Sequence, residues 1–348
     1  MKINLSILLI TILLCFVAAE FSYRYSRAGE RLAWQLVPSA HDRLNAYAKA
    51  PKMSGEIFLL GLGDSFTEFQ DTLGRNFLRY AEGTINAEDH KITVFNLGES
   101  GTGAPRYFNN FCAALKTRKP NIVIFGLYFG NDVRGYSKIR EVPSCEIKPE
   151  NNQNVIVSTL KKSLLINAIF RLSKAYIPQL RSNFYKDVRA YARSYAGLSD
   201  EELRTAEERI DPELMAAAKS DAINPWDVVT AITEPNFYVD LSSQPDDKFR
   251  EDIEALVANF SQVNDQCRAS NINCLVVVFP VAPWATPENH DYFIRLGHQV
   301  SGLENTDPIS LRYFISRMDE NSIPVLDLLP VLRDHRNLNL YIEWDTHL

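Results

Sequence analysis

Five short apolar runs punctuate the chain, and none alternates cleanly between apolar and polar positions. They are Ile57–Gly61, Thr93–Asn96, Asn121–Gly126, Cys274–Phe279 and Ile323–Asp327, rich in Ile, Leu, Val and Phe. Strands that read this way are buried on both faces, as in a parallel sheet covered by helices. Between them, apolar residues recur at helical spacing near 73–83, 105–118, 247–268 and 308–320. Such alternation predicts an α/β three-layer sandwich around a five-stranded, flavodoxin-like parallel sheet.

Two regions break the rhythm. From about 145 to 240 a polar loop, Pro149–Asn154, leads into helical patterns over Val157–Tyr176 and Asp200–Ala218. This predicts a helical insertion over the carboxyl edge of the sheet, where α/β enzymes bind ligands. Its stripe Leu160, Leu164, Ile169 and Leu172 fits packed core better than an acyl pocket or a membrane-docking face. At the amino end, Ile3–Ala19 carries no charge and no polar face. That length suits a signal peptide or signal anchor over residues 1–20, placing the remaining domain, 21–348, outside the cytoplasm, membrane-anchored or secreted. Lys2 orients the segment one way, while Arg24, Arg27 and Arg31 oppose it. Leu14 before Cys15 argues against lipidation.

Composition narrows the function classes. The net charge is -6 with both signs interspersed and no Lys/Arg block, which excludes a nucleic-acid partner on electrostatic grounds. No His/Cys pattern has zinc spacing, so no metal is expected. Cys267 and Cys274 are the nearest cysteine pair. Because Cys274 lies inside an apolar strand, buried free thiols are expected over a bridge.

Candidate chemistry lies immediately after the strands. Gly63-Asp64-Ser65-Phe66-Thr67 follows the first, where a serine at a strand-to-helix turn projects its hydroxyl above the sheet. It is neither a dinucleotide fingerprint, because Phe66 replaces the third glycine, nor a G-x-S-x-G elbow, because Thr67 replaces the last. Asn96–Gly103 follows the second strand and is glycine-rich. Phe129-Gly130-Asn131-Asp132 follows the third, with an amide suited to an oxyanion. Trp344-Asp345-Thr346-His347 comes after the fifth, with a carboxylate placed to orient an imidazole. Parallel strands bring such segments to one edge of the sheet.

These four blocks resemble those of the SGNH, or GDSL, hydrolase superfamily, in particular its membrane-anchored branch. The resemblance spans about 56–135 and 270–348 and implies roles for individual residues. Ser65 would be the nucleophile, His347 its general base and Asp345 the orienting carboxylate. The amides of Ser65 and Gly101 with the side chain of Asn131 would form the oxyanion hole. Asp345 stands two residues before His347, where many members place it three before; this spacing resembles the alginate-type O-acetyltransferases. The resemblance also implies a closing helix after His347, whereas this sequence stops at Leu348: either it is a truncated form or His347 is poorly held. A base so near a terminus tends to fray. The implied activity is serine acyl hydrolysis of an ester on a small molecule, lipid or glycan, with no cofactor. The alternatives are O-acyl transfer to cell-surface glycans by the same residues, or a non-catalytic envelope protein on a retained fold. His41, His90, His290, His298 and His335 match no block and are expected on the surface or in the core.

Overall fold

A computed structural model describes residues 18, 39–51, 55–68, 76–86, 91–138, 184–219, 223, 225–300, 302–338 and 340–341. After helix α1 (Ala40–Lys49) come strand β1 (Ile57–Gly63), the one-turn helix α2 (Ser65–Glu68) and α3 (Phe77–Asn86). Next are β2 (Ile92–Asn96), α4 (Ala104–Thr117), β3 (Ile122–Tyr128) and the one-turn α5 (Phe129–Asp132). Among the described residues there follow α6 (Phe184–Ala196), α7 (Asp200–Glu208), α8 (Pro212–Lys219), α9 (Pro225–Thr233) and α10 (Phe237–Ser242). The long α11 (Asp247–Ala269) leads into β4 (Asn273–Phe279), α12 (Ala282–Ala285) and α13 (Pro287–Arg295), then α14 (Ile309–Glu320), β5 (Val325–Asp327) and α15 (Leu329–Asp334).

All strand pairings are parallel, in the order β2-β1-β3-β4-β5. This is the flavodoxin-like order the apolar runs predicted. The strand order reverses between β1 and β3, and in such sheets the crevice beyond the carboxyl ends at that point is the ligand site. The register sets Leu60 beside Val123 and Leu62 beside Phe125. Period-two alternation sends those four to one face, against α4 and α11, where Phe108, Phe111, Phe125 and Phe260 interlock at 5.1–6.2 Å between ring centres. Burying a side chain as large as Phe125 stabilises the fold by about 1.5–3 kcal/mol. Leu59, Ile92 and Val94 form a separate cluster on the other face with Leu78 of α3.

The described part of the helical region, 184–242, is continuous with this core: Val188, Leu203, Leu214, Val228 and Tyr238 share one apolar cluster with Leu127 and Phe129. The stretch 200–218 is two helices rather than one. Ser199 and Glu202 form a capping box that starts α7. Pro212, which has no N–H to donate, starts α8, while the Asp211 carboxylate accepts from the Glu213 amide at 2.8 Å. The 157–176 stretch, with Leu160, Leu164, Ile169 and Leu172, lies outside the described residues.

Asp252 of α11, 1% exposed, ties the loop after α5 to the helix behind it. It accepts from the Gly135 amide at 2.6 Å, the Ser137 amide at 2.8 Å and the Ser137 hydroxyl. The expected free thiols are not found. The turn between α11 and β4 returns the chain so that Cys267 and Cys274 come within 6.3 Å between Cα atoms and are disulfide-bonded, and Cys112 is disulfide-bonded as well. Among the described residues no helix is long and apolar enough to cross a membrane, and apart from Ala18 the amino-terminal apolar segment lies outside them.

Candidate active site

The turn that carries Ser65 is built by its neighbours. Asp64 follows β1 directly and is fully buried. Its carbonyl accepts from the amides of Thr67 and Glu68, and its Oδ1 accepts from the Phe66 amide at 2.9 Å. Asp64 is therefore the cap of α2, and Ser65, partly exposed, is the first helical residue. The ring of Phe66 stacks on Tyr128 at 4.3 Å and packs on Phe279 at 5.3 Å, so residues at the ends of β3 and β4 brace the turn from beneath.

Thr67 explains two glycines. A Cβ on Gly63 would lie 2.1 Å from the Thr67 Oγ1, and one on Gly126 would lie 2.2 Å from it. The threonine hydroxyl occupies the space that side chains on β1 and β3 would fill. Gly98 has the same cause, since a Cβ there would meet the Glu68 amide nitrogen at 2.6 Å.

The glycine-rich loop after β2 is drawn to this turn by Glu68. Its carboxylate accepts from the Ser100 amide at 2.7 Å and pairs with Arg43 of α1 at 2.8 Å, and Arg43 also donates to the Gly98 carbonyl. The Glu99 amide donates to the Gly63 carbonyl at 2.8 Å, extending the β1–β2 pairing past the strand end. Gly101 then takes φ +72° at the exposed tip, a left-handed conformation that suits glycine.

The third segment joins through Asn131. Its Nδ2 donates to Asp64 Oδ2 at 3.3 Å, across 67 positions of sequence. Asp132, 3% exposed, turns inward: the Tyr107 hydroxyl lies 2.9 and 2.8 Å from its two oxygens, and the Tyr128 amide donates to Oδ2 at 2.8 Å. Burial, followed by the neighbouring Asp64 charge, raises the Asp132 pKa well above the carboxylate range. Burial likewise raises Tyr107, with Asp132 adding to it. Gly130 makes room for the Tyr128 ring, which a Cβ there would meet at 2.6 Å.

Three of the five residues expected at the site, Ser65, Gly101 and Asn131, thus lie on segments hydrogen-bonded to one another at the carboxyl ends of β1, β2 and β3. Asp345 and His347 lie outside the described residues. Of the unmatched histidines, His298 is buried and His290 half-buried. His298 packs between Tyr238 and Phe293, where burial pushes its pKa down to about 4, and the His290 ring lies 2.6 Å from the Val300 carbonyl.

Sequence reasoning missed Arg43, Glu68 and Tyr107, and it took Asp64 and Asp132 as helping to structure the site without assigning either a role. Asp64 and Asp132 sit inside the motifs, and it is their partners that the sequence does not name. Arg43 and Tyr107 carry no sequence signal, because their partners are 25 positions or more away. Among the described residues no cluster of His, Cys, Asp or Glu is arranged to hold a metal. Compared with family models, curated proteins and solved structures, the chain finds no match.

Proposed function

We propose that this protein is a serine-dependent acyl hydrolase of the SGNH type, acting on an ester through an acyl-enzyme. The observation that carries the reading is the bond from Asn131 to Asp64, the residue preceding Ser65. It ties the Asn131 segment to the residue next to Ser65 at the strand-order reversal of a parallel sheet, which supports a site holding both a hydroxyl nucleophile and an amide donor. In this reading the Ser65 hydroxyl adds to the ester carbonyl while His347, oriented by Asp345, takes its proton. The oxyanion receives hydrogen bonds from the Ser65 and Gly101 amides and the Asn131 side chain. The proton on His347 then passes to the leaving alcohol, and water releases the acid by the same steps.

The substrate is an ester-bearing small molecule, lipid or glycan, and neither metal nor organic cofactor enters the chemistry. Two features support a position outside the cytoplasm: the apolar leader, and disulfide bonding at Cys112, Cys267 and Cys274, because such bonds persist in oxidising compartments. The Asp345–His347 spacing favours one variant of the reading, transfer of the acyl group to a glycan hydroxyl instead of water.

The test compares the full chain with Ser65→Ala on p-nitrophenyl acetate, together with labelling by a fluorophosphonate. Hydrolysis and labelling lost in the variant support the reading; equal rates in both overturn it and leave the non-catalytic alternative. Adding a polysaccharide acceptor separates transfer from hydrolysis, since transfer yields an ester product that outpaces free acid.

A further inference from the structure

Two carboxylates, Asp64 and Asp132, are buried behind the serine turn, 0% and 3% exposed, at the ends of adjacent strands. They are partnered differently. Asp64 receives N–H donors on both oxygens, the Phe66 amide on one and the Asn131 side chain on the other. Asp132 faces one N–H, from Tyr128, and a hydroxyl that touches both its oxygens. A tyrosine has one hydroxyl proton, which is either shared between the two oxygens of a carboxylate or joined by a second proton. A protonated Asp132 supplies it, donating to the Tyr107 oxygen while accepting from the Tyr107 hydroxyl. Asp64 accepts on both oxygens, the pattern of a carboxylate serving as acceptor to two segments.

Resting on the serine-hydrolase reading, we infer that Asp64 is a positioning residue: its carboxylate holds one N–H of Asn131, leaving the other for the oxyanion. Without it the amide can rotate about its last torsion and the oxyanion loses a preorganised donor. The raised pKa of Asp132, caused first by burial and then by the Asp64 charge, agrees with a proton held on Asp132.

Asp64→Asn tests the idea because it keeps volume while turning one acceptor into a donor. That NH2 must then face either the Phe66 N–H or the Asn131 amide. On p-nitrophenyl acetate, kcat is expected to fall about 100-fold, the scale of one lost oxyanion donor, with KM within threefold. Asn131→Ala is expected to lose a similar factor, and the double variant D64N/N131A to be no slower than N131A alone. Losses that multiply in the double variant would show that Asp64 acts independently of Asn131. Wild-type kcat in D64N would also overturn the inference. If D64N folds poorly, the exchange D64N/N131D restores a donor–acceptor pair between the two positions. It is expected to recover the melting temperature but not kcat; recovered kcat would sink the proposal. Failure of the parent reading looks different: the wild type itself then neither turns over ester nor labels with fluorophosphonate, and the positioning role falls with it.

Discussion

The buried Asp132 makes a prediction about stability that does not depend on any substrate. Four groups face it: Tyr107 from α4, Asp64 from the β1–α2 turn, the Tyr128 amide from β3, and Tyr136 from the turn after α5, itself pushed up to about 12 chiefly by burial. In the unfolded chain the carboxyl titrates near 3.8, whereas the native pKa is well above this. Below pH 3.8 both states carry the proton and the native environment contributes its full stability. As pH rises, the unfolded state releases a proton the native state keeps, so stability falls until the native pKa is passed. The loss is up to about 1.4 kcal/mol per pH unit for one proton. Asp132→Asn removes the titration while reproducing the neutral acid, its Oδ1 accepting from the Tyr128 amide and its Nδ2 donating to the Tyr107 oxygen. Urea unfolding at intervals from pH 4 to 8 should give nearly equal stabilities at the acid end. The variant should gain on the wild type by up to that slope toward neutrality. Parallel curves, or a variant weaker by about 2 kcal/mol at pH 7, the cost of removing a needed buried charge partner, would refute a protonated Asp132.

Other outcomes follow from packing and hydrogen bonds. Asp252→Ala strips the acceptor from two backbone amides and a hydroxyl and should cost about 3–5 kcal/mol, read by urea unfolding. Gly126→Ala forces a Cβ onto the Thr67 hydroxyl and should cost about 1–3 kcal/mol. Thr67→Ala should rescue it. The same Thr67→Ala should not rescue Gly63→Ala, whose Cβ also meets the Gly126 carbonyl at 2.6 Å; equal rescue of both would dismiss the steric account. Replacing both Cys267 and Cys274 with alanine opens a loop of sequence separation 7 and should lower stability by ~2 kcal/mol, and the wild-type pair should resist alkylation until reduced.

The strands and most helices were legible because their signals are local. The runs at 57, 93, 121 and 274 are apolar on both faces, and such a strand has one stable setting, the interior of a parallel sheet. The helix predicted at 73–83 is observed from Phe77 to Asn86, and the break at Pro212 was missed within 200–218. In each case the hydrophobic period continued past a boundary fixed by capping groups. That Ser65, Gly101 and Asn131 lie at one edge was readable for a related reason, since each stands a few residues beyond a strand that parallel topology carries there.

What the sequence could not settle was how those segments are held together. The disulfide between Cys267 and Cys274 was expected not to form, because an apolar strand is also where a free thiol rests; the turn that brings the two together is a property of helix packing. Arg43 reaching Glu68, Tyr107 reaching Asp132 and Asn131 reaching Asp64 span 25 to 67 positions. Such contacts depend on strand order and on which face each helix covers. Periodicity along a chain reports which side of an element is buried. It carries no record of the neighbour, and the neighbour decides what each buried acid is bonded to.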